Sequence, residues 1–187
     1  DAKRGDIARS SRNYGLEAFR AWGVNAVTAS AYMGDDSILA MIEEAARSSG
    51  LVYALAVTSN PGARRFQQLV AQDGMTLATH VAHAIVSWHE RTGCCGAVVA
   101  ATHPRERDAL LALFAKAGVP LLIPGVGTQG GGAAAVRAAL ARASYPMPLA
   151  RVNVSSAVSH PWKEAGAPVH WRETVADALC RFHEALA

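Results

Sequence analysis

The sequence predicts an α/β protein folded as a (β/α)8 TIM barrel, of which this chain covers about the last six β/α units. Three observations lead there. Short β-rich runs alternate with longer Ala-rich amphipathic stretches along the whole sequence, the order of β/α units in series, and the short runs are apolar throughout, as buried parallel strands are. The third observation is length: 187 residues hold six units, and an eight-unit barrel takes roughly 250. An open doubly wound sheet is the competing architecture. In order, the candidate strands are residues 1–3, 26–29, 51–57, 97–101, 121–124 and 152–155, and the candidate helices are 10–22, 37–48, 75–91, 105–117, 132–143 and 171–187. Residues 1–187 read as one domain, with no repeat, low-complexity tract or linker.

Composition narrows the function. The chain is 51% hydrophobic and 18% charged, so it carries a core and is not disordered. Its longest apolar runs fall far short of the roughly 20 residues of a membrane helix. Eighteen Lys plus Arg against fifteen Asp plus Glu leave a net charge of +3 without clustering, which argues against nucleic acid and for a small anionic ligand. Cys94 and Cys95 are adjacent and Cys180 is distant, giving neither a zinc signature nor a disulfide framework, so a reducing cytoplasm is expected. The chain has no starting Met or signal peptide and is patterned from its first residue. It is expected to begin inside a longer polypeptide or to fold with a companion segment, because six units alone would expose two sheet edges.

Three motifs carry chemistry. In Asp1-Ala2-Lys3-Arg4-Gly5-Asp6, strand alternation would point Asp1 and Lys3 into one interior, with Asp6 in the following loop. A cation between two anions at a strand end can donate a proton to a carbanion; the plainer reading is a solvated salt-bridge cluster. The glycine-rich run from Pro124 to Gly132 follows an apolar strand and opens an Ala-rich helix. Its free backbone N–H groups suit a phosphate, and a simple turn needing positive φ is the alternative. Glycines 125, 127 and 130 satisfy GxGxxG, but no Asp or Glu occurs from Gly131 through Lys163 to hold a nicotinamide ribose. Thr58-Ser59-Asn60-Pro61-Gly62-Ala63 follows another strand, where Ser59 can hydrogen-bond the edge of a polar heterocycle. His80 and His83 lack a third ligand, so no metal is expected. His103 is a pocket or helix-capping residue, and Trp22, Trp88, Trp162 and Trp171 read as core or helix-seat aromatics.

Together and in order these motifs resemble the orotidine 5′-phosphate decarboxylase family, in particular a bacterial subgroup reading close to DAKRGDI, AVT, PYMG, TSNPGA, GATHP and PGVGAQGG. The matching residues are 1–7, 26–28, 32–34, 58–63, 101–104 and 124–131. The resemblance implies a homodimer that removes CO2 from orotidine 5′-phosphate to give UMP without metal or organic cofactor. It makes Lys3 the proton donor to C6, Asp1 part of the same charge network, and Asp6, with Ile7 and Ser10, a group that crosses the interface. It gives Ser59 the pyrimidine edge, Gln129 the span from base to phosphate in a loop opened by Pro124 and including Gly130, and Ser156 the place of a phosphate-gripping arginine. Loss of CO2 leaving a vinyl-type carbanion demands a barrier reduction near or above the top of the usual ~8–23 kcal/mol range. A preorganised cation and remote phosphate binding energy are the means available.

The departures matter too. Ser156 replaces the arginine, and Arg151 has the wrong strand parity to substitute. Asn25, Ser30, Ala31 and Ala40 stand where the pattern expects Asp, Asn, Pro and Pro. The family's first two strands, with a ribose-binding aspartate and a second lysine, have no counterpart in these residues. Two other readings stay open: a decarboxylase of a non-phosphorylated nucleoside or acid, and a non-catalytic barrel subunit.

Overall fold

A computed structural model of the chain describes residues 1–127, 132–162 and 166–187. Among them, five strands form one parallel sheet: β1 Ala26–Ala29, β2 Leu51–Val57, β3 Cys95–Val99, β4 Leu121–Ile123 and β5 Ala150–Val152. Their order across the sheet is their order in sequence. A doubly wound sheet reverses at a switch point, so that architecture is excluded and consecutive staves of a barrel wall are what remains. The helices are α1 Ala8–Leu16, continued by a π-helical turn Glu17–Ala21, then α2 Asp35–Arg47, α3 Arg64–Gln67, α4 Leu77–Thr92, α5 Pro104–Ala117, α6 Ala133–Arg142, α7 Ser156–Ser159 and α8 Trp171–Leu186.

Local sequence explains these bounds. In α2, Ile38, Met41, Ile42 and Ala45 are fully buried at the i, i+3, i+4, i+7 spacing of one helical face. The Thr76 hydroxyl caps α4 by accepting from Thr79 N at 3.2 Å, and Gly93 ends it at φ 68°. Pro104 opens α5 where its missing N–H costs nothing. Trp88 is buried, and its Nε1 donates to Asp35 Oδ1 at 2.9 Å, which ties α4 to the start of α2. Glu44, buried on α2, accepts from Arg12 Nε at 3.0 Å and Arg20 Nη2 at 3.2 Å and also pairs with Arg47, so α1 and its π-helical extension are pinned to α2.

Four expectations are corrected. The opening strand at residues 1–3 shrinks to a single parallel bridge between Arg4 and Ala29. Arg4 N donates to Thr28 O at 3.1 Å, but Lys3 adopts φ 48°, the left-handed region, and breaks the extended backbone before it. β3 starts at Cys95 and stops at Val99, because Cys95 behaves as a buried hydrophobe paired with Val52. β5 runs Ala150–Val152 because the 3-10 turn Met147–Leu149 delivers the chain to the sheet early, and Ser156 lies in the short helix α7. Trp22 and Trp171 are exposed, at 59% and 44%, which removes the core half of the core-or-helix-seat expectation for both. Among the described residues no helix is long and apolar enough to cross a membrane.

Candidate active site

A cavity of about 660 Å³ opens beyond the C-terminal ends of the strands, where barrel enzymes place their chemistry. Leu55 of β2, Val98 of β3 and Leu122 of β4 form its apolar floor. The register of β2 against β3 shifts between Leu55 and Val57, a local irregularity of the kind that re-aims side chains at sites. The loops after β2, β4 and β5 supply its walls, including Ser59, Pro124 and Ser155, together with Ser156 at the start of α7.

Asp1 and Lys3 meet at one side of this cavity. Lys3 Nζ is 2.5 Å from Asp1 Oδ2, and Thr28 organises the pair from the strand beneath. The Thr28 hydroxyl donates to Asp1 Oδ1 at 2.8 Å and accepts from Lys3 N at 2.9 Å. Thr28 is 4% exposed, whereas the Lys3 and Asp1 side chains keep 53% and 65% of their exposure. The pairing was expected from strand alternation; the structure reaches it through a left-handed residue and a threonine clasp. These charges are open to the cavity mouth and not buried, so the Coulomb attraction between them is partly screened. Among the described residues lining the cavity, Lys3 is the one cationic side chain.

The Thr58–Asn60 segment is held from behind. Gln67 Oε1 accepts from Thr58 N at 3.1 Å, Gln67 Nε2 donates to Thr58 Oγ1 at 2.8 Å, and Thr58 Oγ1 donates to Asn60 Oδ1 at 2.8 Å. Thr102 Oγ1 donates to Ser59 O at 3.1 Å. The Ser59 backbone is thereby fixed, and the residue lines the cavity. Gly127 explains part of the glycine run: at φ 98° it occupies a conformation that side chains avoid, and a Cβ there would come within 2.6 Å of Ala157 Cβ. Gln129 and Gly130 lie outside the described residues.

Asp6, Ile7 and Ser10 do not line this cavity. Asp6 Oδ1 accepts from Ile7 N at 2.7 Å, and its carbonyl accepts from Ser11 Oγ at 2.7 Å and from Ser37 Oγ. Ile7 is 68% exposed and Tyr32 82%. Arg151 turns away, its Nη1 donating to Pro148 O at 2.8 Å. His80 pairs with Asp73 at 3.2 Å, and among the described residues no group of three His, Cys, Asp or Glu is placed to hold a metal. Sequence reasoning missed Thr28, Gln67 and Asn153 as parts of the site. Thr28 carried a signal, a lone hydroxyl in the apolar run of β1, since a buried polar group needs a partner.

The family model described as orotidine 5′-phosphate decarboxylase / HUMPS matches residues 1–146. The chain belongs to that family. It is 41% identical over 172 residues to an orotidine 5′-phosphate decarboxylase of Bordetella avium, covering 89% of this chain and 61% of that protein. It is 37% identical over 187 residues to the Bordetella pertussis protein of the same name, covering all of this chain and 64% of that one. The chain thus spans less than two thirds of these relatives' length. The solved structure of Leishmania donovani OMP decarboxylase superposes with TM-score 0.73 at 27% identity, over 100% of this chain and 67% of that one. The fold is therefore the family's TIM barrel in part, five parallel strands of its wall with their helices. Ser156 lies beyond the span that the family model matches.

Proposed function

We propose that the protein containing this chain is a decarboxylase of orotidine 5′-phosphate, releasing CO2 and UMP, with Lys3 as proton donor. The observation that carries the reading is the Lys3 ammonium, paired with Asp1, which Thr28 anchors, at the edge of a cavity that Ser59 and Pro124 also line. In the step proposed, the bond from C6 to the carboxylate carbon breaks, CO2 leaves, and the electron pair left on C6 takes a proton from Lys3 Nζ. Water then reprotonates the amine. A fixed ammonium beside the developing carbanion stabilises charge that appears only as the bond breaks, which is the kind of interaction that lowers the barrier. Asp1 holds that ammonium, and Thr28 fixes Asp1 and the Lys3 backbone N–H. Ser59 reads the pyrimidine edge, and the loop opened by Pro124, with Gln129 and Gly130, takes the ribose phosphate.

Asp6, Ile7 and Ser10 complete the site of a second copy in this reading. Their position outside their own cavity and the exposed Ile7 and Tyr32 nearby support it, since exposed apolar side chains of this size are found where a partner covers them. Loss of orotidine 5′-phosphate absorbance measured with purified full-length protein tests the reaction. Turnover by wild type that Lys3→Ala abolishes is expected. No turnover by a folded wild type would move the reading to a non-catalytic barrel, and equal turnover by Lys3→Ala would remove Lys3 from its role.

A second reading has its own observation. Lys3 is the one cationic side chain among the described cavity residues, Ser156 stands in the arginine's place and Arg151 is turned to backbone carbonyls. A non-phosphorylated 6-carboxypyrimidine nucleoside fits those facts. Competition between orotidine and its 5′-phosphate in one preparation decides, and preference for the phosphate ends this second reading.

A further inference from the structure

A second cavity, of about 410 Å³, lies between α3, α4 and α5, within the roughly 300–1,000 Å³ range of small-molecule sites. Val57, Ala78, Ala109 and Leu110 give it apolar walls. Two buried polar atoms on its lining have no hydrogen-bond partner, His103 Nδ1 and Glu106 Oε2. His103 is 8% exposed. Its Nε2 faces Asn60 O at 3.4 Å; that carbonyl assigns the ring hydrogen to Nε2 and leaves Nδ1 as an acceptor. The other Glu106 oxygen accepts from Gln68 Nε2. Two buried acceptors left without donors are costly, and their chemistry specifies a ligand that presents N–H groups.

The charges around them narrow the class. Arg64 lies 3.7 Å from Glu106, and Arg105 also lines the cavity, so the guanidinium groups outnumber the carboxylate and disfavour a cationic occupant. A neutral flat ring with an amino group satisfies the acceptors and the apolar walls, and an anionic substituent on that ring's sugar suits the exposed arginines. We propose that this cavity is a second, non-catalytic nucleotide site, taking a mononucleotide whose base carries an exocyclic amino group, as cytosine and adenine do.

The site is wired to the first. Gln67 lines both cavities, and it is the residue whose amide makes two bonds to Thr58. His103 contacts the carbonyl of Asn60 in the same loop. An occupant therefore acts on the segment that carries Ser59, and a regulatory effect rests on the function proposed above, while binding itself does not.

Calorimetric titration of the full-length protein with CMP and AMP, in saturating UMP to fill the catalytic cavity, tests the site. One further nucleotide site is expected. Glu106→Gln and Ala109→Trp, which fills the cavity from an exposed position, should each weaken it by tenfold or more. Lys3→Ala should retain it, which supports the second cavity whatever becomes of the first. Absence of CMP and AMP binding under UMP overturns the proposal. So does binding that Ala109→Trp leaves unchanged, or a second site that takes UMP as tightly as CMP.

Discussion

Thr28→Val isolates the clasp that holds Asp1 and Lys3. Valine keeps the shape of threonine in β1 and removes one hydroxyl, which makes two bonds, to Asp1 Oδ1 at 2.8 Å and from Lys3 N at 2.9 Å. Each such bond contributes about 1 kcal/mol net. The Asp1 side chain is 65% exposed, so water replaces part of the first, while the second also restrains a residue held at φ 48°. The expected loss is about 1–2 kcal/mol of positioning, a fall in kcat/KM for orotidine 5′-phosphate of roughly 5- to 30-fold. Thr28→Ser keeps the hydroxyl and should stay within about threefold of wild type. Steady-state kinetics of the three proteins is the assay. A Thr28→Val enzyme within twofold of wild type would refute the reasoning, and so would a Thr28→Ser enzyme as slow as Thr28→Val, since packing and not the hydroxyl would then set the rate.

Three other outcomes are expected. Ser156→Arg places a guanidinium on the cavity wall and should lower KM for a phosphorylated substrate about fivefold, from a charge-assisted contact of about 1 kcal/mol after solvent screening, with kcat little changed in the same kinetics. Glu44 is buried; burial raises its pKa, but the Arg12 hydrogen bond and the charges of Arg47, Arg20 and Arg12 outweigh that and hold it below the ordinary glutamate value. Its stabilisation is therefore present above the ordinary value and lost as pH falls through the lowered one. Glu44→Gln should reduce stability at neutral pH by about 1–3 kcal/mol, its arginine partners being half exposed, and should flatten the acid limb of thermal unfolding against pH. Burial, with Cys94 beside it, pushes the Cys95 thiol up to about 12, so thiol reagents at pH 8 should label exposed Cys180 first, Cys94 more slowly and Cys95 only on unfolding.

The barrel wall was legible because its evidence is local. Apolar runs such as those of β2 and β4 bracketed by amphipathic helices leave few architectures, and the strand order then chose the barrel. What was not legible was non-local. The Asp1–Lys3 pair was found for an incomplete reason: alternation on a strand predicted the meeting, yet the strand is absent, and a threonine 25 residues away makes the geometry. The start of β5 was misplaced because a 3-10 turn containing Pro148 reaches the sheet before the apolar run that periodicity follows. Trp22 read as a core or helix-seat aromatic, and its exposure could not be read from its neighbours in sequence.

The same contrast bears on the site. Four residues that line the first cavity, Asp1, Lys3, Ser59 and Pro124, sit in short contiguous motifs, and Ser59 and Pro124 lie just past the ends of β2 and β4, which are local features. The residues that hold them, Thr28 and Gln67, sit in a strand and a helix whose own signals concern folding. Thr28 makes one hydrogen bond to each of Lys3 and Asp1, and Gln67 makes two to Thr58, so each couples the scaffold to the cavity. Substitutions at Gln67 should therefore perturb both cavities at once, whereas substitutions at Ser59 should be confined to the first. That difference follows from where the two side chains are anchored, and kinetics read together with nucleotide titration can separate them.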